Sequence, residues 1–190
     1  MNAQVRITRM LRQSGDLLAH PNPQTFSYYG SRASDSDALT YVAIAAFLQT
    51  ILGFAIAGGG DAFGLLYSVI NHLFEFYIFA GVTYFVGKQF AGIGNFEEVT
   101  YTFALFYVPI VLISYLLLLL AVLTNVVPVA LISVIPFLQL AALAFYAFQG
   151  VQGVLRVRRK RDAALTVGIA LIVIWVLEQV FRSIGSGGIY

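Results

Sequence analysis

The chain is 190 residues long, 59% hydrophobic and only 11% charged, with a formal net charge of +2. Soluble domains carry near 25% charged residues, so this composition points to a polytopic membrane protein instead. No cysteine is present, which excludes disulfides, thiolate metal ligands and cysteine nucleophiles together.

Residues 3 to 19 pattern as an amphipathic helix. Ala3, Ile7, Met10, Leu11, Leu17 and Leu18 share one face, and Arg6, Arg9, Arg12, Gln13 and Asp16 share the other. Arginine on the polar side fits an interfacial helix lying against anionic headgroups, and a helix docked on the rest of the protein fits equally. Pro21 and Pro23 end it, and His20 to Asp37 is expected to be a polar connector. Residues 1–37 thus read as an N-terminal arm, without the apolar region of a cleaved signal peptide.

Five hydrophobic runs follow within 38–184, at about 39–58, 63–86, 101–123, 129–151 and 163–184, before a short tail at 185–190. Each approaches or exceeds the roughly 20 apolar residues a bilayer requires. The expected fold class is therefore all-α, a polytopic membrane protein with five transmembrane helices preceded by the interfacial helix. In the first run Gln49 and Thr50 can bond to a neighbour. Gly58 to Asp61 allows only a tight hairpin, and Gly60 with Gly64 forms a small-residue pair suited to close helix approach.

The second run, Phe63 to Val86, is the stretch the chain is expected to be organised around. Asn71, His72 and Glu75 stand near its middle within one arc, with Ser68 and Gly64 on the same side. Leu66, Val69, Leu73, Tyr77, Ala80 and Tyr84 lie opposite and suit lipid or apolar neighbours. An ionisable group facing lipid at that depth is costly, so the polar arc must face protein or water. Such a cluster can be polar glue between helices, a proton relay or a cation site. Metal sites use three or four protein ligands, and no metal or cofactor is expected here. Pro109 falls inside the third run and Pro136 inside the fourth. In the fifth, Glu178 pairs with Arg182 at helical spacing.

Ten of the eleven Lys and Arg residues fall in the N-terminal arm, at Lys88, or in the run Arg156, Arg158, Arg159, Lys160 and Arg161. With five spans these segments share one side, which makes the N-terminus cytoplasmic and the C-terminus external or lumenal. The basic run reads as a topology signal and a contact for lipid headgroups or a partner. No reading domain for nucleic acid accompanies it. No Ser-His or paired-Asp arrangement and no phosphate loop emerges, so no enzyme is expected.

Pro21-Asn22-Pro23-Gln24-Thr25-Phe26 resembles the Pro-x-x-x-Phe element before the first span of prokaryotic members of the Yip1 domain family. Gly94-Asn95-Phe96-Glu97-Glu98, followed by Tyr107-Val108-Pro109, resembles the Gly-Phe stretch and proline of their third span. The resemblance covers nearly the whole chain. It departs at Phe145 and Tyr146, where the family has a tryptophan, and in the basic run after the fourth span. What it implies is a non-enzymatic integral membrane protein, since eukaryotic members act in vesicle traffic and associate with small GTPases. The reading is thus membrane organisation, a trafficking-like role or partner recruitment, with anionic lipids and a protein partner or second copy as contacts. The runner-up is a small oligomeric proton- or ion-coupled transporter or channel using the Asn71, His72 and Glu75 arc.

Overall fold

The computed structural model describes residues 3–124 and 132–186, and among these the secondary structure is entirely helical. The helices are α1 (Ala3–Ala19), α2 (Pro23–Gly30), α3 (Asp35–Ala57), α4 (Ala62–Gln89), α5 (Phe96–Thr124), α6 (Val134–Gly153) and α7 (Lys160–Ser186). Four of them, α3 to α6, are long and apolar enough to cross a bilayer. The helix α7 runs alongside α4 and α6. The turn at Thr124 to Pro128 lies outside the described residues beyond Thr124. So do the last four residues and the side chains of Glu178 and Arg182, with the pairing expected between them.

Side-chain caps set several helix starts. Asn22 accepts from the Thr25 amide at 3.0 Å, Asp61 from the Gly64 amide at 2.6 Å, and Asn95 from the Glu98 amide at 2.8 Å. Each satisfies a backbone donor that the first helical turn leaves unpaired. These caps explain where the sequence reading missed. The stretch from His20 to Asp37 is not simply a connector, because Pro23 opens α2 at a position where its missing N–H costs nothing. Helix α5 starts at Phe96 rather than Tyr101, with Glu97 and Glu98 at the positive end of its dipole. Pro109 is internal to α5 as expected, whereas Pro136 falls in the first turn of α6 and interrupts no ladder bond.

The centre of the bundle is α5 rather than α4. Every residue from Val99 to Val108 is buried, because α1, α2, α3, α4 and α6 all pack around this half of the helix. Its aromatic side chains tie the neighbours together. Phe103 meets Phe79 of α4 with ring centres 5.4 Å apart, and Phe106 meets Phe26 of α2 at 6.0 Å and Tyr146 of α6 at 5.8 Å. Such pairs add about 0.5–1.5 kcal/mol each beyond the area they bury.

One end of the bundle gathers α1, α2, the loop at 90–95 and the linker at 154–159. The Ile93 amide donates to the Leu155 carbonyl at 3.0 Å, joining that loop to that linker. A Cβ on Gly153 would stand 2.3 Å from the Pro23 carbonyl oxygen, so only glycine lets α2 lie this close to α6. All the arginine-rich segments are therefore at this end. At the other end Gly58 (φ 82°) and Gly59 (φ 132°) turn α3 back into α4, using left-handed geometry open to glycine. Gly60 is not half of a helix-packing pair. It sits in that turn under the Phe54 ring, 2.4 Å from where a Cβ would be.

Candidate functional site

The polar arc of α4 closes on itself. Asn71 Nδ2 donates to Glu75 Oε1 at 2.6 Å, and His72 Nδ1 stands 3.5 Å from Glu75 Oε2. The His72 ring meets the Tyr115 ring of α5 edge-on at 6.0 Å, and Tyr115 also borders Gly53 of α3. Asn71, His72 and Glu75 are all half-buried. Ser68, one turn away, takes no part in the hydrogen bonding of this cluster. The side that suits lipid or apolar neighbours divides between the two. Leu73, Tyr77, Ala80 and Tyr84 pack on the core, and the exposed stripe is Leu66, Ile70 and Phe74. The reason is that α4 is covered on two sides, by α3 and α5 and by α7, leaving only the strip between them open.

Glu75 opens onto a crevice of about 460 Å³ between α4, α5, α6 and α7, lined also by Phe79, Tyr107, Phe137, Gln139 and Trp175. Gln139 and Trp175 carry no signal in the sequence that joins them to Glu75. They converge only through the packing of α6 and α7. Elsewhere in the bundle, Thr50 turns its hydroxyl to the Ala46 carbonyl of its own helix at 2.9 Å. Gln49 Nε2 and the Thr83 hydroxyl are buried with no protein hydrogen-bond partner. The bond from Gln49 to a neighbouring helix is thus not made by its nitrogen. Among the described residues, no three His, Asp or Glu side chains come together as a metal site.

A second polar cluster docks α1 on the bundle. Met10, Ser14 and Leu17 are its buried face, one turn apart. Asp37, in the first turn of α3 and 4% exposed, takes Arg6 on one oxygen at 3.3 Å and Arg9 on the other. Of the two readings of α1, headgroup contact or docking on the rest of the protein, Arg6 and Arg9 follow the second and pair with a buried carboxylate. Tyr101 donates to Gln13 at 2.6 Å, Tyr146 donates to the Leu18 carbonyl at 2.9 Å, and Ser14 meets the Tyr41 hydroxyl at 3.1 Å. Asp35, nearby, accepts from Thr100 at 3.0 Å. Sequence reasoning missed Asp37; the available signal was an acid at the start of an apolar helix preceded by regularly spaced arginines.

The Tyr29 hydroxyl of α2 donates to Asp16 Oδ2 of α1 at 2.5 Å. Burial and the adjoining carboxylate push the Tyr29 hydroxyl up from 10.0 to about 12, and that hydrogen bond holds the Asp16 carboxyl below its ordinary 3.8. Between α1 and α2 lies a groove of about 730 Å³ lined by Arg9, Arg12, Gln13, Tyr28, Tyr29 and Arg32, among others. The Arg32 guanidinium stacks over Tyr28, 4.2 Å from the ring centre. Arg156, Arg158 and Arg159 in the linker, and Lys160 and Arg161 at the start of α7, are exposed.

Among the described residues the fold is all-helical, with four helices long and apolar enough to span a membrane, a polar cap at one end and an ionisable cluster within the bundle. No family model, no curated protein and no solved structure matches the chain.

Proposed function

We propose that this is a non-enzymatic, five-span integral membrane protein that organises its membrane, or recruits a partner, from the cytoplasmic face. This is the role implied by the resemblance to the Yip1 domain family. The observation carrying it is the groove between α1 and α2, where Arg9, Arg12 and Arg32 converge on a docked cap. Guanidinium groups in fixed geometry suit phosphates and carboxylates, as a headgroup or an acidic partner offers them.

Support for a fifth span comes from α7. It runs beside α4 from Thr166, close to Gly87, to Trp175, beside Glu75. Support for an interfacial α1 comes from Val5 and Leu11, each 54% exposed although Met10 and Leu17 of the same helix are buried against the bundle. The gathering of nearly all Lys and Arg at one end supports a cytoplasmic N-terminus. Single cysteines in place of Ser31 and Ser186, in this cysteine-free chain, report sidedness to an impermeant thiol reagent. Only Ser186→Cys is expected to label from outside intact cells, and labelling at position 31 overturns the topology. For the groove, the parent protein is expected to melt higher in nanodiscs containing anionic lipid than in zwitterionic ones. Arg12→Glu with Arg32→Glu erases that difference while leaving insertion intact.

The crevice at Glu75 favours a second reading, a small proton- or ion-coupled transporter. Glu75→Gln then stops flux in a protein that still folds, because the amide cannot release a proton.

A further inference from the structure

We propose that the crevice beside Glu75 is a binding site for lipophilic organic cations, meaning a positive charge spread over aromatic or aliphatic bulk. This rests on the membrane-spanning part of the reading above, with α7 as a span, and requires neither flux nor the arginine groove.

Place comes first. Glu75 stands near the middle of α4, 13 residues from Ala62 and 14 from Gln89. At 1.5 Å per residue it is about 20 Å from either end, well inside the hydrocarbon region if α4 spans it. The mouth lies between α6 and α7, where Phe137 is 72% exposed and Trp175 is 62% exposed. A ligand therefore enters sideways from the bilayer, where lipophilic cations partition.

The walls then select the class. Among the described residues they offer one carboxylate, one amide at Gln139, the rings of Phe79, Tyr107, Phe137 and Trp175, and otherwise aliphatic side chains and Pro136. Neither Lys nor Arg is among the described lining residues, so an anion finds no counter-charge. An inorganic cation finds too few oxygens among the described residues, since hard cations take about six. A neutral hydrocarbon makes no use of a carboxylate kept at a depth where it is costly. A delocalised organic cation meets each feature. It loses little hydration on leaving water, its charge faces Glu75 in a low dielectric, and its bulk lies on aromatic faces that attract cations. It does not need a free lone pair on Glu75, so Asn71 can keep its hydrogen bond. The volume of about 460 Å³ falls within the range of small-molecule sites.

Trp175 is the only tryptophan in the chain, so intrinsic fluorescence reads the site directly. Full-length protein in nanodiscs, titrated with tetraphenylphosphonium, is expected to give a saturable change in Trp175 emission. Tetraphenylborate, of the same shape and opposite charge, gives none. Glu75→Gln weakens the phosphonium response at least about tenfold, the loss of about 1.4 kcal/mol of charge interaction. Equal, non-saturating responses to both ions, or unchanged affinity in a folded Glu75→Gln protein, would mean partition into lipid only and overturn the site. A second measurement needs no variant. Dicyclohexylcarbodiimide modifies carboxyl groups inside membranes, and mass spectrometry locates the adduct. Tetraphenylphosphonium, but not tetraphenylborate, is expected to slow modification of Glu75, and an unchanged rate with the phosphonium present would also overturn it.

Discussion

The carboxylate of Asp37, buried at the start of α3, is held by Arg9, 28 positions earlier in the chain. Arg6 shares it, so the pair of arginines fixes α1 against the first long helix. Removing one partner of a buried ion pair costs about 3–5 kcal/mol when both are enclosed. Here the arginines are partly exposed and water screens them, which lowers the expected cost to about 1–2 kcal/mol. Arg9→Ala is therefore expected to lower the melting temperature clearly more than Arg12→Ala does. Equal melting of the two variants in detergent unfolding would show that Asp37 needs no counter-charge.

The contact between Tyr29 and Asp16 predicts how α1 and α2 respond to pH. The Tyr29 hydroxyl is raised in the folded state, so its contribution is complete below pH 10.0 and is lost as pH rises toward about 12. The Asp16 carboxyl is lowered, so its contribution is present above pH 3.8 and is lost as pH falls through the folded value below that. Protection of the α1 and α2 amides, measured as exchange relative to the unfolded rate at each pH, should fall at both extremes. Tyr29→Phe should remove the alkaline step specific to this contact, and an unchanged alkaline step would assign it to another group.

Close approach at Gly153 gives a prediction on packing. An added Cβ would lie 2.3 Å from the Pro23 carbonyl and 2.8 Å from Phe26 Cβ, both on an element pinned by the Asn22 cap. Gly153→Ala should thus separate α2 from α6 and cost on the order of 1–3 kcal/mol. Gly15→Ala, where nothing lies within 4 Å of the new atom, should instead stabilise α1 slightly. A Gly153→Ala protein that melts no lower than the parent would mean that α2 moves freely.

How much of this was legible in the sequence follows from the range of each signal. The apolar runs that became α3 to α6 were visible, because burying or embedding a helix demands a long hydrophobic segment wherever it packs. The boundaries were not, since Asn22 and Asn95 define starts through single hydrogen bonds within polar stretches. The α5 run is the most apolar of the four, but composition alone could not make it central, because only the neighbours decide which helix is enclosed. The intramembrane cluster was half legible. Asn71 and Glu75 are one turn apart on one helix, so helical spacing predicts their contact. Tyr115 and the crevice partners Gln139 and Trp175 come from three other helices, and no local pattern links them. The roles of Arg6 and Arg9 stayed hidden for the same reason. An amphipathic pattern shows that a face is polar, but not that a buried acid waits opposite.

The Glu75 cluster supplies the last prediction. Asn71 Nδ2 has Glu75 Oε1 as its acceptor, and His72 Nδ1 approaches the second oxygen. Glu75→Gln can turn its amide oxygen toward Asn71 and keep the stronger of these contacts, so it should fold and melt close to the parent. Glu75→Leu fits the apolar crevice but leaves Asn71 and His72 without that acceptor inside the bundle. Polar contacts between membrane helices are worth about 1 kcal/mol, and leaving a half-buried donor unpaired costs about 1–3 kcal/mol. The added apolar surface offsets part of this, so a net loss of about 1 kcal/mol is expected for Glu75→Leu. Pairing it with Asn71→Leu removes the orphaned donor as well, and the double variant should recover part of the loss. That recovery separates an unsatisfied donor from a simple packing defect, which a second substitution would deepen. If Glu75→Leu melts with the parent, the cluster contributes nothing to holding α4, and the carboxylate's presence must be explained by what enters the crevice alone.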